Sequence, residues 1–196
     1  MPELSVVVPT ISGREDSLAR ALASYWGTLA DVDHEIITIK DAPTWPAACN
    51  EGYEKSKGDV ILFTADDLEA MPGWWEHARD HLAAHDELPA PRVYNFIYEE
   101  SEWDNTEDGP DGAIPEFTRI PIMRRDQWER IGRWPEDLIY YADLWVTYKG
   151  RHVGIETRMV HGYDFIHHWS GVKRVDSRAN LDASGVKLKL LREQWT

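Results

Sequence analysis

Two adjacent carboxylates, Asp66 and Asp67, stand where the run Asp59-Val-Ile-Leu-Phe63 passes into Thr64-Ala65-Asp66-Asp67. Neighbouring acids at the end of a buried strand repel each other and are costly to strip of water without a partner. Hard oxygen ligands of this kind suit Mg²⁺ or Mn²⁺, and such an ion resolves both problems. It would also bridge to a diphosphate and neutralise charge as that group leaves. The competing reading is an acidic pair that caps the following helix.

The elements that must position the pair read from the first third of the chain. Leu4 to Val8 is a continuous apolar run stopped by Pro9, the pattern of a strand buried on both faces. Ser12 and Gly13 open a helix with Leu18, Ala21, Leu22 and Tyr25 at helical spacing, and Gly27 closes it. A second strand, Glu35 to Ile39, ends in Lys40-Asp41-Ala42-Pro43. A short helix over Trp45 to Ser56 leads to the third strand at Asp59 to Phe63. Strand and helix alternating in this way predict parallel βαβ units with right-handed crossovers. Ligands bind such sheets at the carboxyl ends of the strands. Those ends carry Pro9-Thr10, Asp41 and Asp66-Asp67.

Farther on the pattern is more mixed. Pro72-Gly73 precedes a helix with Trp75, Ala78 and Leu82 on one face, and Val93 to Tyr98 reads as a fourth strand. The acid-rich stretch from Glu99 to Gly112 reads as a solvated loop, with a cover over an active site as the alternative. Thr118 to Met123 is extended, and Asp126 with Glu129 has the spacing of a capping box. Tyr141 to Lys149 reads as a helix, His152 to Val160 and Tyr163 to His168 as strands, and the last turns as a closing helix. The expectation is one domain over residues 1–175 with a helical tail, 176–196, packed on it.

Composition narrows the function. A formal net charge of -14 argues against a non-specific grip on nucleic acid, which needs clustered Lys and Arg. The single cysteine, Cys49, excludes an internal disulfide and a Cys-rich zinc site. No signal peptide and no membrane span is visible, so the expected compartment is the cytoplasm. Ten Trp offer platforms for sugar rings, although most should be core residues. Trp74 is the best platform candidate, followed by Trp75, Trp103 and Trp134.

Several runs in order resemble family 2 glycosyltransferases of the GT-A fold. Leu4-Ser-Val-Val-Val-Pro-Thr10 with Arg14 looks like that family's opening. Cys49-Asn-Glu-Gly52 ahead of Gly58-Asp-Val-Ile-Leu-Phe-Thr-Ala-Asp-Asp67 is similar to its run before the Asp-x-Asp motif. Pro72-Gly73-Trp74 matches a Pro-Gly-Trp that often follows. Met123 to Gly132, Trp134-Pro-Glu-Asp-Leu138 and Tyr141-Ala-Asp143 resemble the acceptor-side block. The resemblance implies an α/β fold of the GT-A type, a mixed sheet flanked by helices. It implies transfer of a sugar from a nucleoside-diphosphate donor to an unknown acceptor hydroxyl, metal-dependent and inverting, with a UDP-sugar favoured.

By the same resemblance Pro9, Thr10, Arg14, Asp41, Asn50 and Asp66 hold the donor, Asp41 accepting from the base. Asp67 and Asp66 hold Mn²⁺ or Mg²⁺, and Asp143 is the general base. A late histidine completes the metal set. The candidates are His161, His167 and His168, and His168 is favoured because Trp169-Ser170-Gly171 leaves the strand there. Lys173 and Arg174 are further candidates for the diphosphate. Two positions depart from the family pattern: Thr64 stands for an acid, and Ala142 for the Glu before Asp143. The alternatives are a non-catalytic nucleotide-sugar or glycan-binding protein of the same fold, which those departures favour, and a nucleotidyltransferase. The latter usually has a more Gly-rich, basic loop than Thr10-Ile-Ser-Gly-Arg14.

Overall fold

The computed structural model describes residues 1–96, 111–115, 117–168 and 178–194. The expectations for Trp103, Lys173, Arg174 and most of the acid-rich stretch lie outside these residues.

The first strand, β1 (Leu4–Thr10), is buried along its whole length. Its side chains alternate between two cores. Leu4, Val6 and Val8 join Tyr25 of α1 (Glu15–Thr28), Leu29 just after it and the Trp74-Trp75 pair on one side of the sheet. Val7 joins the other side, with Cys49 of α2 (Trp45–Lys55). Helix α2 lies close enough to β1 that a Cβ on Gly52 would fall 2.2 Å from Val7 Cγ1. Only glycine permits that approach. Strands β2 (His34–Lys40) and β3 (Val60–Phe63) flank β1 in parallel, as the βαβ reading predicts.

Beyond β3 the chain adds β4 (Leu68–Ala70), α3 (Trp74–Ala84), β5 (Glu87–Phe96), β6 (Ile122–Arg124), α4 (Arg125–Ile131), α5 (Ala142–His152), β7 (Glu156–His168) and α6 (Arg178–Glu193). Four strands form one sheet in the order β2-β1-β3-β6, with β6 antiparallel to β3. Three form a second sheet in the order β4-β7-β5. On the side of Val7, α4, α5 and α6 contribute Trp128, Ile131, Trp145 and Leu188 to the core around Ile61 and Phe63.

Several elements differ from the sequence reading. The β7 segment was expected as two strands and is one, because its break at His161-Gly162 is a bulge. Gly162 takes φ +93°, and the register against β5 shifts between Ala90 and Arg92. The short strand β4 was not foreseen. The N-terminus of α4 is not closed by Asp126 and Glu129; instead Gln127 Oε1 accepts from Arg124 N at 3.0 Å. The platform candidates Trp74, Trp75 and Trp134 are 0%, 1% and 2% exposed, so they are core residues with no face for a sugar.

Candidate functional site

At the carboxyl ends of β1 and β3 the chain gathers Thr10, Arg14, Asp66 and Asp67. Thr10 Oγ1 donates to Asp66 Oδ2 at 2.6 Å, and both residues are buried. Arg14, the residue that precedes α1, turns its guanidinium between the acids. Its Nη2 lies 3.1 Å from Asp66 Oδ1 and 2.8 Å from Asp67 Oδ2. The Nε of the same group is buried with no hydrogen-bond partner.

The end of β7 brings two histidines beside this pair. Strand β4 begins immediately after Asp67 and pairs antiparallel with β7, Leu68 opposite His167. His168 N donates to Asp67 O at 2.8 Å, which ties the end of β7 to the acidic pair. His167 has its Nε2 3.7 Å from Asp67 Oδ2, and His168 reaches Glu69 Oε2 at 2.7 Å. His168, the favoured candidate, has its ring on Glu69 and borders the same hollow as Asp66 and Asp67. Burial pushes the Asp67 carboxyl up, but hydrogen bonds and charge from His167 and Arg14 outweigh it and hold the group down to about 2.

The loop between β1 and α1 is fixed to the end of β2. Asp41 N donates to Thr10 O at 2.9 Å, and the Asp41 carboxylate accepts from Ser12 N and Ser12 Oγ, each at 2.7 Å. Those bonds hold the exposed Asp41 carboxyl below the usual range. Asp41 adopts φ +57°, a conformation that costs a non-glycine residue about 1–3 kcal/mol and that collects at functional sites. Ser12, expected only to open the helix, is the residue that closes this link.

Thr64, where the sequence lacks an expected acid, faces away from the pair. Its hydroxyl shares a 2.6 Å hydrogen bond with Tyr25 Oη in the core. Its carbonyl accepts from Trp45 Nε1 at 2.9 Å, which brings a half-buried Trp to the end of β3. Sequence reasoning passed over Trp45, and only its place at the start of a helix after Asp41 hinted at it.

Asn50, expected beside the nucleotide, is buried with its amide engaged elsewhere. Its Nδ2 donates to Trp134 O at 2.9 Å and to Glu136 Oε1 at 3.1 Å, and its Oδ1 accepts from Trp134 N at 3.1 Å. It therefore anchors the segment that leads to α5. That segment ends in Tyr141, at φ +66°, two residues before Asp143. Asp143 stands in the first turn of α5, its Oδ1 accepting from Leu144 N at 2.8 Å. Burial pushes its carboxyl up, against the lowering pull of the Leu144 and Asp143 amides and the Arg119 charge. Pro9 is the penultimate residue of β1, beside Thr10. His161, the third histidine candidate, uses its backbone N–H on Asp111 Oδ1 at 3.0 Å.

As a holder of a divalent cation, the acidic pair is already served. Asp66 is 2% exposed, with one oxygen on Thr10 and the other on Arg14. Among the described residues no group of three His, Cys, Asp or Glu side chains stands ready to hold a metal ion. The donor set, as arranged, fits a guanidinium rather than Mn²⁺ or Mg²⁺. No helix among the described residues is long and apolar enough to cross a membrane.

Residues 43–148 match the model of a family described as glycosyl transferase family 2. A comparison with curated proteins finds no match. Among solved structures, TarS 1–349 from S. aureus is similar with a TM-score of 0.68 at 10% sequence identity. The similarity covers 96% of this chain and 64% of that one, so the chain spans less than two thirds of its structural relative. Together with the helix-flanked sheets, these similarities identify the GT-A fold.

Proposed function

We propose that this chain, which belongs to glycosyl transferase family 2, transfers a glycosyl group from a nucleoside-diphosphate sugar to an acceptor hydroxyl. The observation that carries the reading is the convergence of Thr10, Arg14, Asp66, Asp67 and His167 at the carboxyl ends of β1 and β3. Donors bind there in open α/β sheets. Asp41 at the end of β2 keeps acceptor capacity beyond its two bonds to Ser12, which suits the N–H of a uracil and a UDP-sugar.

In this reading Asp143 is the general base. The acceptor oxygen attacks the anomeric carbon as its proton passes to the Asp143 carboxylate, and the bond from that carbon to the diphosphate breaks. A single displacement inverts the configuration. The burial that raises the Asp143 carboxyl makes it a better proton acceptor than an exposed aspartate. Arg14 meets the charge that develops on the leaving diphosphate, as a fixed guanidinium does for phosphates elsewhere. Members of the family often use a divalent metal. In this structure Arg14 pairs with both Asp66 and Asp67, one positive charge against two.

A thermal-shift screen of nucleotide sugars and nucleoside diphosphates tests the reading. A rise in Tm with one base, UDP first among them, is the expected result. If no nucleotide stabilises the chain under any condition, the reading fails.

A further inference from the structure

Arg14 stands where the chemistry of paired carboxylates would call for a metal. Its side chain is 9% exposed, and its Nη2 is within 3.1 Å of Asp66 and 2.8 Å of Asp67. An ion between the acids would have to take the space of the guanidinium and break the hydrogen bond from Thr10 to Asp66 Oδ2. The backbone around Arg14 is held on both sides. Leu18 N donates to Arg14 O at 2.9 Å, and Ser12 is fixed by both oxygens of Asp41.

We infer that Arg14 is the resident cation of this site and that the chain binds its nucleoside-diphosphate donor without a divalent metal. The inference rests on the proposed transferase reading and adds the charge chemistry of its donor site. A guanidinium offers five donors in one plane. The acids engage Nη2, while Nε is buried and has no acceptor. An acceptor with the geometry of a phosphate oxygen completes it, because guanidinium and phosphate pair through parallel hydrogen bonds. Arg14 then serves both sides at once, offsetting part of the charge of Asp66 and Asp67 and binding the diphosphate itself. His167, with Nε2 3.7 Å from Asp67 Oδ2, is a second neighbour of the oxygen that Arg14 engages.

Isothermal titration of UDP, GDP, CDP and ADP into the full chain, in excess EDTA and then in Mn²⁺, tests this. For the nucleotide that binds, the Kd in EDTA should lie within about threefold of that in Mn²⁺. Arg14→Ala should lose about tenfold or more in EDTA and recover it in Mn²⁺, because the uncovered acids become a metal site. Electron paramagnetic resonance should find Mn²⁺ free beside the wild type and bound by R14A. Arg14→Lys keeps a point charge without the fork and should bind in EDTA with an affinity between the two. It carries the test if R14A does not fold. A wild type that needs Mn²⁺ for binding, by about tenfold or more, overturns the inference and leaves the transferase reading intact. So does Mn²⁺ bound tightly by the wild type alone. Binding of no nucleotide in either condition defeats both.

Discussion

Restoring an acid at position 64 should destabilise the protein, in a way that pH reveals. Thr64→Asp is nearly isosteric, but the side chain it replaces is 1% exposed and bonded to Tyr25 Oη. Full burial of a carboxylate raises its pKa by roughly 3 units or more, and three units correspond to about 4 kcal/mol. Tyr25 would donate one hydrogen bond to the new charge, which returns about 1.5–3 kcal/mol. The net cost is then about 2 kcal/mol at pH 7, equivalent to a folded-state pKa roughly 1.5 units above the unfolded one. A carboxyl raised in the folded state costs stability in full above that folded value, and the cost fades as pH falls toward the unfolded value near 4. Urea unfolding of both proteins should show a gap of about 2 kcal/mol at pH 7 that shrinks below about 1 kcal/mol by pH 4.5. Equal stabilities at pH 7, or a gap that does not change with pH, would refute the placement of residue 64 in the core.

Two further outcomes follow from the same site. His167→Ala should weaken binding of the selected nucleoside diphosphate several-fold, since it removes a partner of Asp67. His168→Ala breaks a half-buried pair with Glu69 and should cost about 1 kcal/mol or less, with nucleotide affinity unchanged; calorimetry giving the reverse order would return the role to His168. Asp67, held down to about 2 from an ordinary 3.8, contributes stability that is present above about pH 4 and lost as pH falls toward 2. Wild type and Asp67→Asn should therefore differ by about 2 kcal/mol near neutrality and converge in acid, and parallel acid-denaturation curves would count against the Arg14 and His167 contacts.

The elements that declared themselves in the sequence are those whose local pattern and tertiary setting agree. Leu4 to Val8 is apolar on both faces because β1 is covered on both faces. The start of β5 was hidden for the opposite reason. Glu87-Leu-Pro-Ala-Pro carries two prolines that argue against a strand, yet β5 is an edge of its sheet, where a missing N–H is tolerated. Strand β4 is three residues long and has too few positions to show a period. Its pairing with β7 nevertheless brings His167 and His168 to the end of the acidic pair, a placement with no local signal in the sequence. Asp41, Asp66 and Asp67 were legible because strand ends converge in parallel sheets, and Arg14 through the resemblance of the opening run. The attachment of Asn50 to Trp134 was not legible, since its partner lies 84 positions away.

The proposed mechanism has Asp143 drive transfer from a donor held at the strand ends. Its most direct test is release of nucleoside diphosphate from the bound nucleotide sugar by wild type and Asp143→Asn, with donor Kd measured on both. General-base catalysis predicts that D143N loses about 100-fold or more in rate while its Kd stays within about twofold. The pH–rate profile of the wild type should fall on its acid side at a pH above the ordinary aspartate value, as burial of Asp143 directs. Turnover by D143N at the wild-type rate would contradict the claim.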